Sequence, residues 1–411
     1  MSTLDVARIK ADFPILRREI KGRPIVYLDS AASAQKPTSV LDAMDDAYRN
    51  YYANVHRGVY EIAEQATARY EQARATVARF VNATESAEIV FVRNATEGIN
   101  LVAHSWGRAN LQPGDAVVLS IMEHHANIVP WQMLAAERGI ELRWIPVADD
   151  YTLDLSELDR LLDGAKLLSV TAMSNVLGTI TPVAELVAAA HAHGALALVD
   201  ACQYVPHIAT DVQAWDADFV VFSAHKLCGP SGIGALWARR ALLDAMPPFL
   251  GGGGMIRDVR TDGFLPDDVP WKFEAGTPAI VEAIGFGAAV DYLVGVGMDA
   301  VRDHEASLTR YALDALHAAF PTTLRIYGPD DVTIRGGAIS FLFDEIHAHD
   351  ISQVLDEDAV CVRPGHHCAK PLMRHLGVPA TSRASFYLYN DEHDVDALVD
   401  ALGKAEKFFA L

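Results

Sequence analysis

The chain has 411 residues, a length that suggests about two or three domains. Its 51% hydrophobic and 21% charged residues are an ordinary globular composition, which excludes disordered, collagen-like and coiled-coil chains. The formal charge of −20, from 34 basic and 54 acidic side chains, argues against non-specific binding to nucleic acid or to anionic membranes.

No run of about 18 apolar residues is present, so no bilayer span is expected. The N-terminal MSTLDVARIKADFP carries charge where an export signal needs an apolar core. Four cysteines (Cys202, Cys228, Cys361, Cys368) do not make a disulfide framework. The expected setting is therefore a reducing cytoplasm, in which a thiol is free to react.

Between about residues 85 and 240, short apolar runs alternate with amphipathic stretches. The runs are Glu88–Val92, Ala116–Ser120, Leu167–Thr171, Ala195–Val199 and Phe219–Phe222. They are apolar throughout rather than alternating, as strands covered on both faces are. Helical patterns at 95–105 and 183–193 complete an α/β order and predict a mostly parallel sheet. A Gly/Pro-rich break follows at Pro247–Pro248 and Gly251–Gly254, then a polar loop through 262–270. The last third reads as a separate α+β unit, with helices near 298–320 and 349–355 and strands near 337–343 and 359–363.

Ligands of such sheets sit beyond the carboxyl ends of the strands, so the residues after each run are the candidates. The first run leads to Asn94-Ala95-Thr96 and a helix start, where orphan N–H groups attract an anion or serve only as an ordinary cap. The second leads to His124-His125. Neighbours in sequence make a poor chelate, and a single imidazole stacked on a flat cofactor is the better functional reading. The third leads to Asn175, a donor for a ring oxygen or a substrate carboxylate, or simply a turn residue. The fourth ends in Asp200, followed by Cys202 and Gln203; a buried acid there needs a cationic partner. The fifth ends in Ser223-Ala224-His225-Lys226, and a lysine at that edge can form a Schiff base with an aldehyde. An imine-forming lysine, an acid for a pyridinium nitrogen, a stacking ring and an anion cradle together fit pyridoxal 5′-phosphate.

Over essentially its whole length the sequence resembles the cysteine desulfurases of the class V aminotransferase family, in particular the SUF-type group that also includes selenocysteine-lyase-like enzymes. The segments that carry this are ADFPILRREI, YLDSAASAQKP, NVHRGVY, MEHHANIVPWQ, SNVLGT, SAHKLCGPSGIG, FEAGTP, RPGHHCAKPLM and SRASFYLYN. The resemblance implies a fold-type-I transferase architecture. A large domain over 22–285 would hold a mostly parallel seven-stranded sheet. Residues 1–21 and 286–411 would form a small α+β domain. It implies that Lys226 holds the cofactor, Asp200 pairs with the ring nitrogen, Gln203 contacts the ring hydroxyl and His124 stacks on the ring. Thr96, Ser223 and His225 would hold the phosphate. Asn94-Ala95 stands where relatives often have Gly-Thr, leaving the N–H of Ala95 as a phosphate donor. Thr277 would reach the phosphate of a neighbouring subunit, implying a homodimer. Asn175 and Arg383 would bind the substrate carboxylate, a bidentate task suited to a planar guanidinium.

Cys368 lies in Arg363-Pro364-Gly365-His366-His367-Cys368, on a loop whose His and Arg neighbours favour a thiolate. A zinc reading of this cluster is disfavoured because one short segment supplies all the ligands and no second cluster completes four. Cys202, Cys228 and Cys361 read as structural. The implied reaction converts L-cysteine to L-alanine. Lys226 shuttles a proton, and Cys368 takes the sulfur as a persulfide for an acceptor of the SUF system in iron–sulfur cluster assembly. Selenocysteine lyase activity is the nearest alternative on the same scaffold.

Overall fold

The computed structural model describes residues 4–343 and 346–409. Its central layer is a seven-stranded sheet: β1 Ile89–Val92, β2 Ala116–Ser120, β3 Glu141–Ile145, β4 Ala165–Thr171, β5 Leu196–Asp200, β6 Phe219–Ser223 and β7 Gly234–Ala238. The strand order is β1-β7-β6-β5-β4-β2-β3, with β7 antiparallel to both neighbours and the other pairs parallel. β1, β2, β6 and β7 are buried at every residue, as strands packed between two helical layers must be.

All five apolar runs are strands. β3 and β7 escape a hydrophobicity reading because β3 is a half-exposed edge strand, Glu-Leu-Arg-Trp-Ile, and β7 follows a glycine-rich stretch. β5 and β6 each end one residue later than the runs suggest, so Asp200 and Ser223 are the last residues of their strands. Their side chains are therefore aimed by the strand pleat rather than by a loop.

The C-terminal unit has a four-stranded antiparallel sheet: β8 Leu324–Tyr327, β9 Ala338–Phe343, β10 Arg363–Gly365 and β11 Thr381–Ser385, in the order β8-β9-β11-β10. The helices Met298–Ala319, Ala348–Asp356 and Glu392–Phe408 belong to the same unit. The single strand expected over 359–363 is instead two. Val360–Cys361 pairs in parallel with Val26–Tyr27, and β10 pairs with β11. Pro364 lacks an N–H, which suits β10 to the sheet edge. The polar stretch at 262–270 is partly an exposed hairpin, Ile256–Arg260 with Gly263–Pro266.

The division expected between 285 and 286 falls inside one helix, Ile280–Val296. That helix packs on Glu61–Phe80 so closely that a Cβ at Gly287 would lie 2.9 Å from the Ala73 methyl. Among the described residues, no single helix is long and apolar enough to cross a membrane.

Candidate active site

The carboxyl ends of β2, β4, β5 and β6 and the 363–368 loop of the small unit enclose one cavity of about 340 Å³, a volume typical of small-molecule sites. Ala95, Thr96, His124, Asn175, Asp200, Gln203, Ser223, His225, Lys226, Cys368 and Arg383 all line it. Residues separated by more than 270 positions in sequence are thus brought to one sheet edge.

Asp200 is 4% exposed and accepts the N–H of Cys202 at 3.0 Å. Burial raises its pKa, and among the described residues no cationic group pairs with it. Lys226, on the 3₁₀ turn Ala224–Lys226, is half-buried across the same cavity. His124 caps the next turn: its Nδ1 accepts the N–H of Ala126 at 3.1 Å, which puts the proton of the neutral ring on Nε2. Burial and the neighbouring Lys226 hold its pKa down at about 3, so the ring is neutral and suited to stacking.

The loop beneath His124 is fixed by Glu123, which is fully buried. Glu123 accepts from Ser120 Oγ (2.5 Å), Asn127 Nδ2 (2.7 Å) and the N–H of Thr171 (3.0 Å). Burial raises its pKa to about 8.

Asn94 is the cap of helix Ala95–Val102, accepting the N–H of Glu97 at 3.0 Å. Thr96 is exposed at the cavity rim. The N–H of Ala95, expected as a phosphate donor, is donated to Ser223 Oγ at 2.9 Å. In this geometry Ala95 and Ser223 satisfy each other, because Ser223 ends its strand facing the helix start. His225 lies within 3.3 Å of Ser33 Oγ, and burial with Lys226 and Lys36 lowers its pKa to about 4. Gln203 donates Nε2 to the Ala31 carbonyl at 2.7 Å.

Arg383 is 2% exposed on β11. It donates to the Asn175 carbonyl at 2.8 Å and to Asp29 at 3.2 Å, and its buried Nε has no partner. Burial lowers its pKa to about 10. Asp29 also holds Arg363, at 2.9 Å, so one carboxylate steers both guanidiniums toward the cavity.

Cys368 is exposed at the mouth of the cavity. His367 and Cys368 both adopt left-handed backbone, φ 49° and 54°, a conformation that side chains resist. Their surroundings impose it. Asn175 Nδ2 donates to the His367 carbonyl at 2.7 Å, and the N–H of His125 donates to the Cys368 carbonyl at 2.7 Å. His367 Nε2 meets Thr381 Oγ1 at 2.9 Å.

Thr277 stands apart. It is exposed and lines a separate cavity with Tyr70, Phe91 and Glu274. Glu274 makes a bidentate pair with buried Arg74 (2.5 and 2.9 Å) and accepts the N–H of Phe91 at 2.8 Å. The segment carrying Thr277 is thereby pinned to β1.

Several site residues were not singled out from sequence. Asp29, and its pairing with Arg363 and Arg383, become visible only when the small unit folds against the sheet. Cys202, read as structural, lines the cavity with Sγ 3.8 Å from Ser223 Oγ. Burial raises the Cys202 thiol far above its ordinary value, which keeps it protonated. The objection that one segment supplies every metal ligand near Cys368 also fails, since His125 joins His366 and Cys368 there.

Residues 26–398 match the model of the "Aminotransferase class-V" family. The chain belongs to this family. It is 52% identical over 404 residues to a cysteine desulfurase of Dickeya dadantii, covering 98% of this chain and 97% of that protein. It is 50% identical over 412 residues to a probable cysteine desulfurase of Streptomyces coelicolor, covering 99% and 98%. Among solved structures, an apo cysteine desulfurase from Thermococcus onnurineus superposes with a TM-score of 0.94 at 37% identity, covering 99% of each chain. The cysteine desulfurase CsdA of Escherichia coli, as its S-sulfonic acid, superposes with a TM-score of 0.90 at 39% identity, covering 99% and 100%.

Class V enzymes of this kind depend on pyridoxal phosphate, and the cavity fits that group. Asp200 is a buried acid lacking a cation, which a protonated pyridine nitrogen would supply. His124 offers a neutral flat face, and Lys226 an amine with no hydrogen-bond or ion-pair partner among the described residues. The seven-stranded, mostly parallel sheet with a small α+β unit is the fold-type-I transferase arrangement.

Proposed function

We propose that this chain is a pyridoxal-phosphate-dependent cysteine desulfurase that converts L-cysteine to L-alanine and carries the sulfur away as a Cys368 persulfide. One observation supports the reading above the others: an exposed, backbone-strained thiol, Cys368, borders the same cavity as Lys226, Asp200 and His124. A class V aminotransferase acting on another substrate has no use for a thiol held there.

Lys226, Asp200, Gln203 and His124 would hold the cofactor, with Thr96, Ser223 and His225 around its phosphate. When bound, that group supplies an electron sink next to the substrate's Cα. Lys226 takes and returns the Cα proton. Arg383, with its free Nε, and Asn175 receive the substrate carboxylate. The Cys368 thiolate attacks the substrate sulfur. A sulfur–sulfur bond forms, the carbon–sulfur bond breaks, and its electron pair passes to the carbon skeleton, which is protonated and leaves as alanine. The exposure of Cys368 suits onward transfer to an outside thiol.

We further propose that the chain works as a homodimer, since Thr277 is exposed and lies away from its own chain's cavity. The acceptor is a SUF-type protein serving cytoplasmic iron–sulfur cluster assembly, a reading that rests on the motifs shared with that group. Borohydride reduction followed by peptide mapping tests the cofactor assignment. A pyridoxyl label on the peptide containing Lys226, with alanine formed from L-cysteine, supports it; a label elsewhere overturns it.

A further inference from the structure

Three groups that bind soft metals converge at the mouth of the cavity. His125 follows β2, whereas His366 and Cys368 come from the small unit. One ligand atom from each lies within 4.8 Å of the others, with the two imidazole centres 5.6 Å apart and the rings inclined by 36°. Both rings already present an unprotonated nitrogen to the loop. His125 Nε2 accepts the N–H of Lys370 at 3.0 Å, and His366 Nδ1 accepts the N–H of Cys368 at 3.1 Å. An unprotonated imidazole is the form that a metal binds. Capture of an ion would exchange a peptide N–H for the metal at each ring, and the exposed thiol needs only to swing toward it.

The charge around the cluster selects the ion. Lys370 stands two residues after Cys368 and donates its N–H to His125, and Arg363 and Arg383, which share the single carboxylate of Asp29, line the same cavity as Cys368. This cationic surround opposes a divalent ion, whereas a monovalent ion with one thiolate is neutral overall. Two imidazoles and a thiolate also suit a soft ion content with three ligands better than zinc, which takes four. We propose that His125, His366 and Cys368 form a binding site for a soft monovalent d¹⁰ cation such as Cu(I). Binding replaces the thiol proton by the metal with no redox change. It caps the nucleophile and ties its loop to the end of β2, so it is a reversible off-state. The metal site itself does not depend on the desulfurase reading; only the loss of turnover rests on that reading.

The test is anaerobic competition of the purified holoenzyme for Cu(I) against a chromophoric bathocuproine chelator, without L-cysteine. Parallel samples measure alkylation of Cys368 by iodoacetamide. The expected result is one ion per chain that depends on Cys368, with alkylation blocked and then restored by excess chelator. His125→Ala and His366→Ala should each weaken retention at least about tenfold, the loss that follows removal of even an outer partner of a metal site. His125→Asn and His366→Asn guard against misfolding, and retained cofactor absorbance certifies each variant. Equal retention by the histidine variants would mean a bare thiol and would overturn the site. Absence of Cys368-dependent binding would do the same. Zn(II) protecting Cys368 as well as Cu(I) does would overturn the selection by charge. Alanine formation assayed separately without metal reports on the desulfurase reading alone.

Discussion

The backbone N–H of His125 donates to the carbonyl of Cys368 at 2.7 Å. The residue next to His124 thus holds the peptide of Cys368, and the proposed cofactor face and the thiol loop share one anchor. Asn175 makes the second tie, one residue earlier in the loop, through the His367 carbonyl. Two strand ends of the large sheet therefore keep a strained loop in place.

Removing the side-chain tie should loosen the thiol. Asn175→Ala is expected to lower kcat/KM for L-cysteine by about 100-fold, the scale of a misplaced reacting group, and to raise the rate at which iodoacetamide alkylates Cys368. Steady-state kinetics and timed alkylation with peptide mapping check both halves. A fall in activity with unchanged alkylation would assign Asn175 to substrate binding alone.

Asp200 gives a prediction with opposite signs for two forms of the chain. Burial penalises its unpaired carboxylate, so Asp200→Asn should raise the melting temperature of the cofactor-free protein. The same change should weaken pyridoxal phosphate binding by about 3 kcal/mol, since a buried charge loses its partner. Thermal melts with and without the cofactor read both effects.

Stability should depend on pH in a defined way. His124 and His367 titrate at about 3 in the folded chain, held down chiefly by burial, against an ordinary value near 6.5. Between those values the unfolded chain binds more protons, so this contribution is complete above pH 6.5 and is lost as pH falls. Glu123, raised to about 8 by burial, acts in reverse. Its contribution is complete below its ordinary value near 4.5 and is lost as pH rises through 8. Each group is worth about 1.4 kcal/mol per pH unit inside its window. Urea midpoints should peak near pH 6.5. His367→Asn should flatten the acid limb and Glu123→Gln the alkaline one.

The pair formed by Arg74, which is 1% exposed, and Glu274 is a structural pin under the Thr277 segment. Glu274→Ala removes one of the two carboxylates on the buried guanidinium, leaving Glu71 at 2.9 Å, and should cost about 2–3 kcal/mol of stability. Equilibrium urea unfolding measures it, and Glu274→Gln should lose less.

Much of this site is legible in the sequence because strand ends are. Asp200 and Lys226 follow runs of β-branched and apolar residues, and such runs announce buried parallel strands. In the cavity wall contributed by the small unit, the Cys368 loop is marked by its Pro-Gly pair and its His and Arg neighbours, whereas Arg383 is legible only through resemblance to known relatives. Nothing local marks Asp29 as the partner of Arg363 and Arg383, because that contact spans 334 and 354 positions. β3 stayed hidden because an edge strand exposes polar residues, and the 359–363 strand divides because its two halves join different sheets. Adjacent histidines do not share a face, so no chelating partner for His125 is legible in the sequence. The structure shows that its partners come from the other unit instead.

The most direct test of the central claim is the intact mass of the holoenzyme after brief exposure to L-cysteine, for wild type and for Cys368→Ser. The account predicts one added sulfur on the wild type, removable by a thiol reductant, and none on the variant. No added sulfur on either protein, or the same addition on both, would contradict it.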